Sequence, residues 1–234
     1  MEEAFKKYVL NFDMNIPEIN YKYYHSLRVR DLCKEIAEYL KLTEEETILV
    51  KQIGLLHDIG RFEQWKRFKS YHDPDSIDHG DLGVDILFNN NFINEFNIND
   101  NLDIIYKAIK YHNKYELPKL DSYTELFCNI VRDSDKIDIL FLISNNDYNI
   151  LNNTNDEVTN INREDFYSGK SISNENVKNA NDHILCVLAF MNHFNFNISK
   201  EYVLKNKYLE KIYENSKYKE PLKEYFEKLG VIKC

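Results

Sequence analysis

In the stretch Gly54-Leu55-Leu56-His57-Asp58-Ile59-Gly60-Arg61 an apolar run ends in an adjacent histidine and aspartate, followed two residues later by a glycine. Burying an ionisable pair beside Leu55 and Leu56 is costly unless something compensates, and a bound cation is the most economical compensation. His57 and Asp58 are therefore candidate metal ligands; the competing reading is a partly exposed pair at a helix end. Three more histidines face inward or toward such a pair. His25 heads the stripe His25, Val29, Leu32, Ile36 and Leu40, spaced by three or four residues, and His112 falls four residues after Ala108 and three after Ile109. His79 opens a segment carrying Leu82, Ile86 and Leu87, a junction from which it can reach a neighbouring site. Asp135 stands one turn after Val131, with Asp133 and Asp138 close by, and a carboxylate buried there needs a partner. Imidazoles and carboxylates without thiolates suit iron, manganese, zinc or another divalent transition ion. Arg28, one turn from His25, can support a buried carboxylate. His183, although it follows Asp182, and His193 are read as structural or surface residues.

The elements that must position these residues are helices. Phe5, Tyr8, Val9 and Phe12 make a short helical pattern before Pro17, which is expected to stop it, and a long helix is expected over residues 21–40. Thr43 followed by Glu44, Glu45 and Glu46 is a helix start with a hydroxyl cap and a capping-box acid; that helix runs through Ile53 and Leu56 into the His57-Asp58 pair, and Gly60 is expected to end it. The aromatic and basic segment Arg61 to Lys69 follows, either closing over an anionic ligand or forming a solvated helix face. Residues 71–81 are turn-rich, with Asp73, Pro74, Asp75, Ser76 and Asp78. Helices are expected around Leu102–His112 and, beyond Pro118, around Phe127–Asp138. Residues 145–176 are polar and rich in Asn and Asp, a long excursion with short helical turns and a candidate lid over a pocket. Further helical segments are expected over about 176–196, 199–216 and 221–229.

At 234 residues the chain can bury a sizeable core. Its formal net charge of −9 and pI of about 5.3 argue against a general nucleic-acid or anionic-membrane surface, both of which need a basic patch. No apolar run is long enough to span a bilayer, and the start Met1-Glu2-Glu3-Ala4-Phe5 lacks the pattern of a signal peptide, so a cytoplasmic protein without membrane attachment is expected. Cys33, Cys128, Cys186 and Cys234 are far apart and in no Cys-x-x-Cys spacing, which indicates neither a disulfide framework nor a thiolate zinc site.

In chain order, His25, the His57-Asp58 pair, His79, His112 and Asp135 resemble the HD-domain superfamily of metal-dependent phosphohydrolases, whose signature is an isolated His, an adjacent His-Asp pair and a distal Asp. The two intervening histidines resemble its two-metal branch. The resemblance covers residues 21–140 and rests on the strings His25-Ser26-Leu27-Arg28-Val29, Leu56-His57-Asp58-Ile59-Gly60 and Arg132-Asp133-Ser134-Asp135-Lys136. It implies an all-α fold, an HD-type helical bundle with a C-terminal helical extension. The whole chain, 1–234, would be one domain, with the metal-binding core at 21–140 and the C-terminal helical part at 147–234. It also implies two divalent transition metal ions (iron, manganese, zinc or similar), one on His25, His57, Asp58 and Asp135 and one on Asp58, His79 and His112, with Asp58 bridging. Asp133 remains an alternative to Asp135, which is preferred because Lys136 follows it. Arg61 and Lys136 adjoin these ligands and are the expected phosphate contacts, and Arg28 would orient a ligand carboxylate. Asp58, Arg61 and Lys136 would then carry catalysis. The expected reaction is hydrolysis of a phosphate ester or anhydride of a small molecule, a nucleotide or related metabolite, by metal-activated water. Two alternatives share the ligand set: a di-iron oxygenase of the myo-inositol oxygenase type, and a non-catalytic regulatory metal-binding module. The chain has no Gly-Tyr-Pro string after the His-Asp pair, a departure from the cyclic-di-GMP phosphodiesterases; Asp78-His79-Gly80-Asp81 stands in that region.

Overall fold

The computed structural model describes residues 1–147 and 149–233, and among them every regular element is helical. The chain forms two compact units, Met1–Ser134 and Asp135–Cys234.

The first unit contains α1 (Glu2–Val9), α2 (Pro17–Tyr39), α3 (Glu44–Leu56), α4 (Ile59–Phe68), α5 (His79–Val84), α6 (Leu102–Tyr111) and the larger part of α7 (Ser122–Ser144). Pro17 starts a helix instead of stopping one: α1 already ends at Val9, and Pro17 occupies the first position of α2, where its missing N–H and fixed φ do no harm. The capping box opening α3 is complete. Glu46 N–H donates to Thr43 Oγ1 at 3.2 Å and Thr43 N–H to Glu46 Oε2 at 2.8 Å. α2 and α3 cross closely at Gly54, where an added Cβ would stand 2.7 Å from Cys33 Sγ and 3.1 Å from the Arg30 Cα.

The corner between α3 and α4 is the feature that positions the site. α3 ends at Leu56, and His57 and Asp58 form the corner itself, with Asp58 at φ −102°, ψ 18°. Gly60 was expected to end this helix, and instead lies buried inside α4. Its role is close approach: a Cβ there would fall 2.3 Å from the His79 carbonyl oxygen and 2.8 Å from Gly83 N, so only glycine lets α4 meet α5. Arg61 to Phe68 is thus part of a helix, and its inner face joins an aromatic cluster in which the Phe62 ring lies 5.7–6.0 Å from those of Phe5, Tyr8 and Phe12. The C-terminal end of α6 is closed by Arg132 of α7, whose guanidinium donates to the carbonyls of Tyr111 (2.9 Å), His112 (3.1 Å), Lys114 (2.6 Å) and Tyr115 (3.2 Å).

The second unit holds the end of α7 with α8 (Asn160–Tyr167), α9 (Ala180–Leu188), α10 (Asn197–Lys205), α11 (Tyr208–Asn215) and α12 (Lys223–Lys228). The helix expected over 199–216 is two helices, parted where Lys207 takes a left-handed φ of 56°. The segment expected over 176–196 is α9 followed by a 3-10 turn at Ala189–Asn192. Within 145–176, buried asparagines do structural work: Asn153 Nδ2 donates to Asn181 Oδ1 (2.6 Å) and to the Tyr218 carbonyl (2.7 Å), while its Oδ1 accepts from Tyr218 N–H (2.9 Å). Cys33, Cys128 and Cys186 are buried and form no disulfide among the described residues; Cys234 lies outside the described residues.

Candidate metal centre

Five of the six expected ligands lie in the first unit, and the fold brings them together. His25 comes from α2, His57 and Asp58 from the α3–α4 corner, His79 from the first position of α5, and His112 from the residue after α6. All five are buried. The Asp58 carboxylate lies at the centre, one oxygen toward each pair of imidazoles. Its Oδ2 is 3.3 Å from His25 Nε2 and 3.6 Å from His57 Nε2; its Oδ1 is 3.4 Å from both His79 Nε2 and His112 Nε2. Donor atoms of His57, Asp58 and His112 all lie within 4.8 Å of one another.

The tautomers decide whether these residues fit a metal. His57 Nδ1 is 2.7 Å from the Gly54 carbonyl and His112 Nδ1 is 2.7 Å from the Ile109 carbonyl. A carbonyl oxygen only accepts, so both Nδ1 atoms carry hydrogen and the neutral rings present an Nε2 lone pair. His79 Nδ1 donates to Asp73 Oδ2 at 2.6 Å, with the same result. Yet His79 Nε2 and His112 Nε2 are 3.0 Å apart, and His25 Nε2 and His57 Nε2 are 3.2 Å apart. The His79 and His112 lone pairs, facing each other at such a distance, repel, and a cation between them turns the repulsion into ligation. Burial, followed by the Arg61 charge, lowers the His79 imidazole to about 4 although Asp73 pulls the other way, so it is neutral and ligand-ready at pH 7. Burial raises the Asp58 carboxyl, but it is held well below the ordinary carboxylate range, the Lys22 ammonium being the foremost cause. The donor set fits divalent transition metal.

The sequence reading missed the residues that support these ligands. Asp73, in a 3-10 turn at Asp73–Asp75, also accepts from Arg61 Nη1 (2.9 Å), Gln64 Nε2 (2.8 Å) and Asn113 Nδ2 (3.1 Å), so a carboxylate held from three sides fixes the ring of His79. Asp78 caps α5, accepting from Asp81 N–H at 2.9 Å and from Asn113 Nδ2 at 3.0 Å, and thereby locks the turn that presents His79. Lys22, one turn before His25, donates to Asp58 Oδ2 at 2.6 Å and is itself buried. Position on the His25 stripe is the sequence signal that could have revealed Lys22; Asp73 offers none beyond its turn-forming type.

Arg61 lies beside the site, with Nη1 committed to Asp73, Gln64 and the Tyr71 carbonyl; its Nε is buried without a hydrogen-bond partner, 3.7 Å from Asp58 Oδ1. Lys136 belongs to the second unit and donates to the His193 carbonyl at 2.8 Å. Asp135, the first residue of that unit, is half-buried on α7, whereas Asp133 is fully buried; Arg28 is half-buried on α2.

An all-helical unit gathers four imidazoles around one buried carboxylate, a set of donors that could hold a metal ion. Residues 23–140, half of the chain, match the family model of the HD domain, and the chain belongs to that family, whose members are mostly metal-dependent hydrolases. No curated protein and no solved structure matches it. Among the described residues no helix is long and apolar enough to cross a membrane.

Proposed function

We propose that this chain is a phosphohydrolase of a small-molecule phosphate ester or anhydride, a nucleotide or related metabolite, and that it works with two divalent transition metal ions. His25, His57, Asp58 and Asp135 would hold the first ion, and Asp58, His79 and His112 the second, with Asp58 bridging. The observation that carries this reading is the division of Asp58, one carboxylate oxygen facing each imidazole pair. Two bound ions supply an activated water at neutral pH and offset charge on the phosphoryl oxygens.

The protein's own residues then have defined tasks. Gly54 and Ile109 carbonyls hold His57 and His112 as the tautomers that present Nε2 inward, and Asp73 does the same for His79. Arg61 Nε, a buried donor with no hydrogen bond near Asp58 Oδ1, is the contact offered to a phosphoryl oxygen. Lys136, which donates to the His193 carbonyl at 2.8 Å, remains the second expected phosphate contact.

The test is phosphate release from a panel of phosphate esters and anhydrides by protein loaded with iron, manganese or zinc, run with and without oxygen and against His57→Ala as control. Release that continues under strict anaerobiosis and is lost in the variant supports the hydrolase. Turnover that stops without oxygen assigns the oxygenase chemistry, and metal binding with no turnover on any substrate assigns a regulatory module.

A further inference from the structure

The Asp58 oxygen that faces His25 and His57 already has a cation on it. Lys22 Nζ lies 2.6 Å from Asp58 Oδ2, the same atom that stands 3.3 Å from His25 Nε2 and 3.6 Å from His57 Nε2. Lys22 is only 8 % exposed, and its ammonium lies 5.6 Å from the centre of the Tyr71 ring, a placement that further stabilises the charge. The cation beside the other oxygen stands farther off. The Arg61 guanidinium comes no closer than 3.7 Å to Oδ1 in its ion pair with Asp58, and it is already paired with Asp73 at 2.9 Å.

We propose that Lys22 is a built-in counter-ion of the metal centre, one that neutralises Asp58 Oδ2 in the metal-free protein and competes with a divalent ion for that oxygen. This rests on the two-metal reading above. Two same-sign charges cannot share one carboxylate oxygen in a buried site without strong repulsion, so the lysine lowers affinity at the first position. Lysine suits competition better than a permanent block, because its ammonium sits on a flexible four-carbon stem and can withdraw when the ion binds. In the metal-free protein the same pair keeps a buried carboxylate and its imidazoles from standing uncompensated. The second position, on the Oδ1 side, is free of this competitor, so when metal is scarce the first position loads less readily than its ligands alone would allow.

The experiment uses the full chain stripped with a chelator, with His112→Ala as a background that disables the second position. Manganese is titrated into this background with and without Lys22→Met, and melting temperatures are taken for metal-free and manganese-loaded protein. Loss of the lysine charge is expected to tighten manganese binding on the order of tenfold or more, to lower the melting temperature of the metal-free protein, and to enlarge the rise on loading. Lys22→Arg, which keeps the charge, should bind manganese no more tightly than the parent. Lys22→Gln gives the same reading should the methionine variant not fold. Manganese binding that is unchanged or weaker without the charge, with equal losses of melting temperature in the metal-free and loaded forms, overturns the proposal and leaves Lys22 a packing residue. If the unsubstituted protein binds no manganese at all, the metal-centre reading itself fails, a result distinguishable from failure of Lys22 alone.

Discussion

A histidine becomes a ligand through what holds its far nitrogen. In this centre that nitrogen donates to a main-chain carbonyl in His57 and His112 and to a carboxylate in His79. Asp73 is therefore expected to matter almost as much as the ring it orients. Asp73→Asn should keep the fold, because Gln64 and Arg61 retain an oxygen to donate to, yet lower metal affinity at the His79–His112 position by about 10–100-fold. Calorimetric titration of the variant with manganese checks this, and wild-type affinity would show that Asp73 does not set the ring. The inward histidines were legible in the sequence because helical periodicity points His25 and His112 at the core and an apolar run delivers His57 and Asp58 to a corner. Asp73 was not legible, since aspartate before proline reads first as a turn former. Lys22 escaped notice because a lysine between tyrosines reads as a solvated position even though it falls on the His25 stripe; its distance to Asp58 shows its role.

At the scale of elements, glycines and caps decide whether these side chains meet. Gly60→Ala would place a methyl 2.3 Å from the His79 carbonyl oxygen, where backbone and not a pliable side chain must yield. We expect a loss of about 1–3 kcal/mol or more of stability together with weaker metal binding, read from urea unfolding and from metal content. A variant as stable as the parent would mean that α4 and α5 are less tightly apposed than the structure shows. In the second unit, Asp182 accepts from Thr159 N–H (2.8 Å), Thr159 Oγ1 (3.0 Å) and Lys178 N–H (3.0 Å). Burial raises its carboxyl, but its hydrogen bonds outweigh that and lower it below the ordinary value. A depressed folded pKa adds stability above the unfolded pKa near 3.9, and that stability disappears as pH falls through the lower folded value. Asp182→Ala should therefore cost about 1–2 kcal/mol at pH 7 and unfold with a shallower loss at acid pH than the parent; parallel pH curves would contradict the assignment. Helix identities along the chain were legible from stripes and from the Thr43 capping box. Pro17 and Gly60 misled because proline is tolerated at a first helical position and glycine inside a helix can be required by a close contact. Pro17 sits at a helix start, and Gly60 serves a close helix contact.

For the molecule as a whole, a net charge of −9 works against an anionic substrate, so attraction must come from cations at the site. Metal-free protein is expected to lose inorganic phosphate binding that the loaded protein shows, and equal binding in both forms would assign phosphate to the chain's own cations instead. The central claim is that one carboxylate, Asp58, joins two metal positions. Elemental analysis of purified wild-type, His79→Ala and Asp58→Ala proteins tests it most directly: two divalent ions per chain in the wild type, roughly one after His79→Ala and loss of tight binding after Asp58→Ala are predicted. The same metal content in wild type and Asp58→Ala would contradict the account.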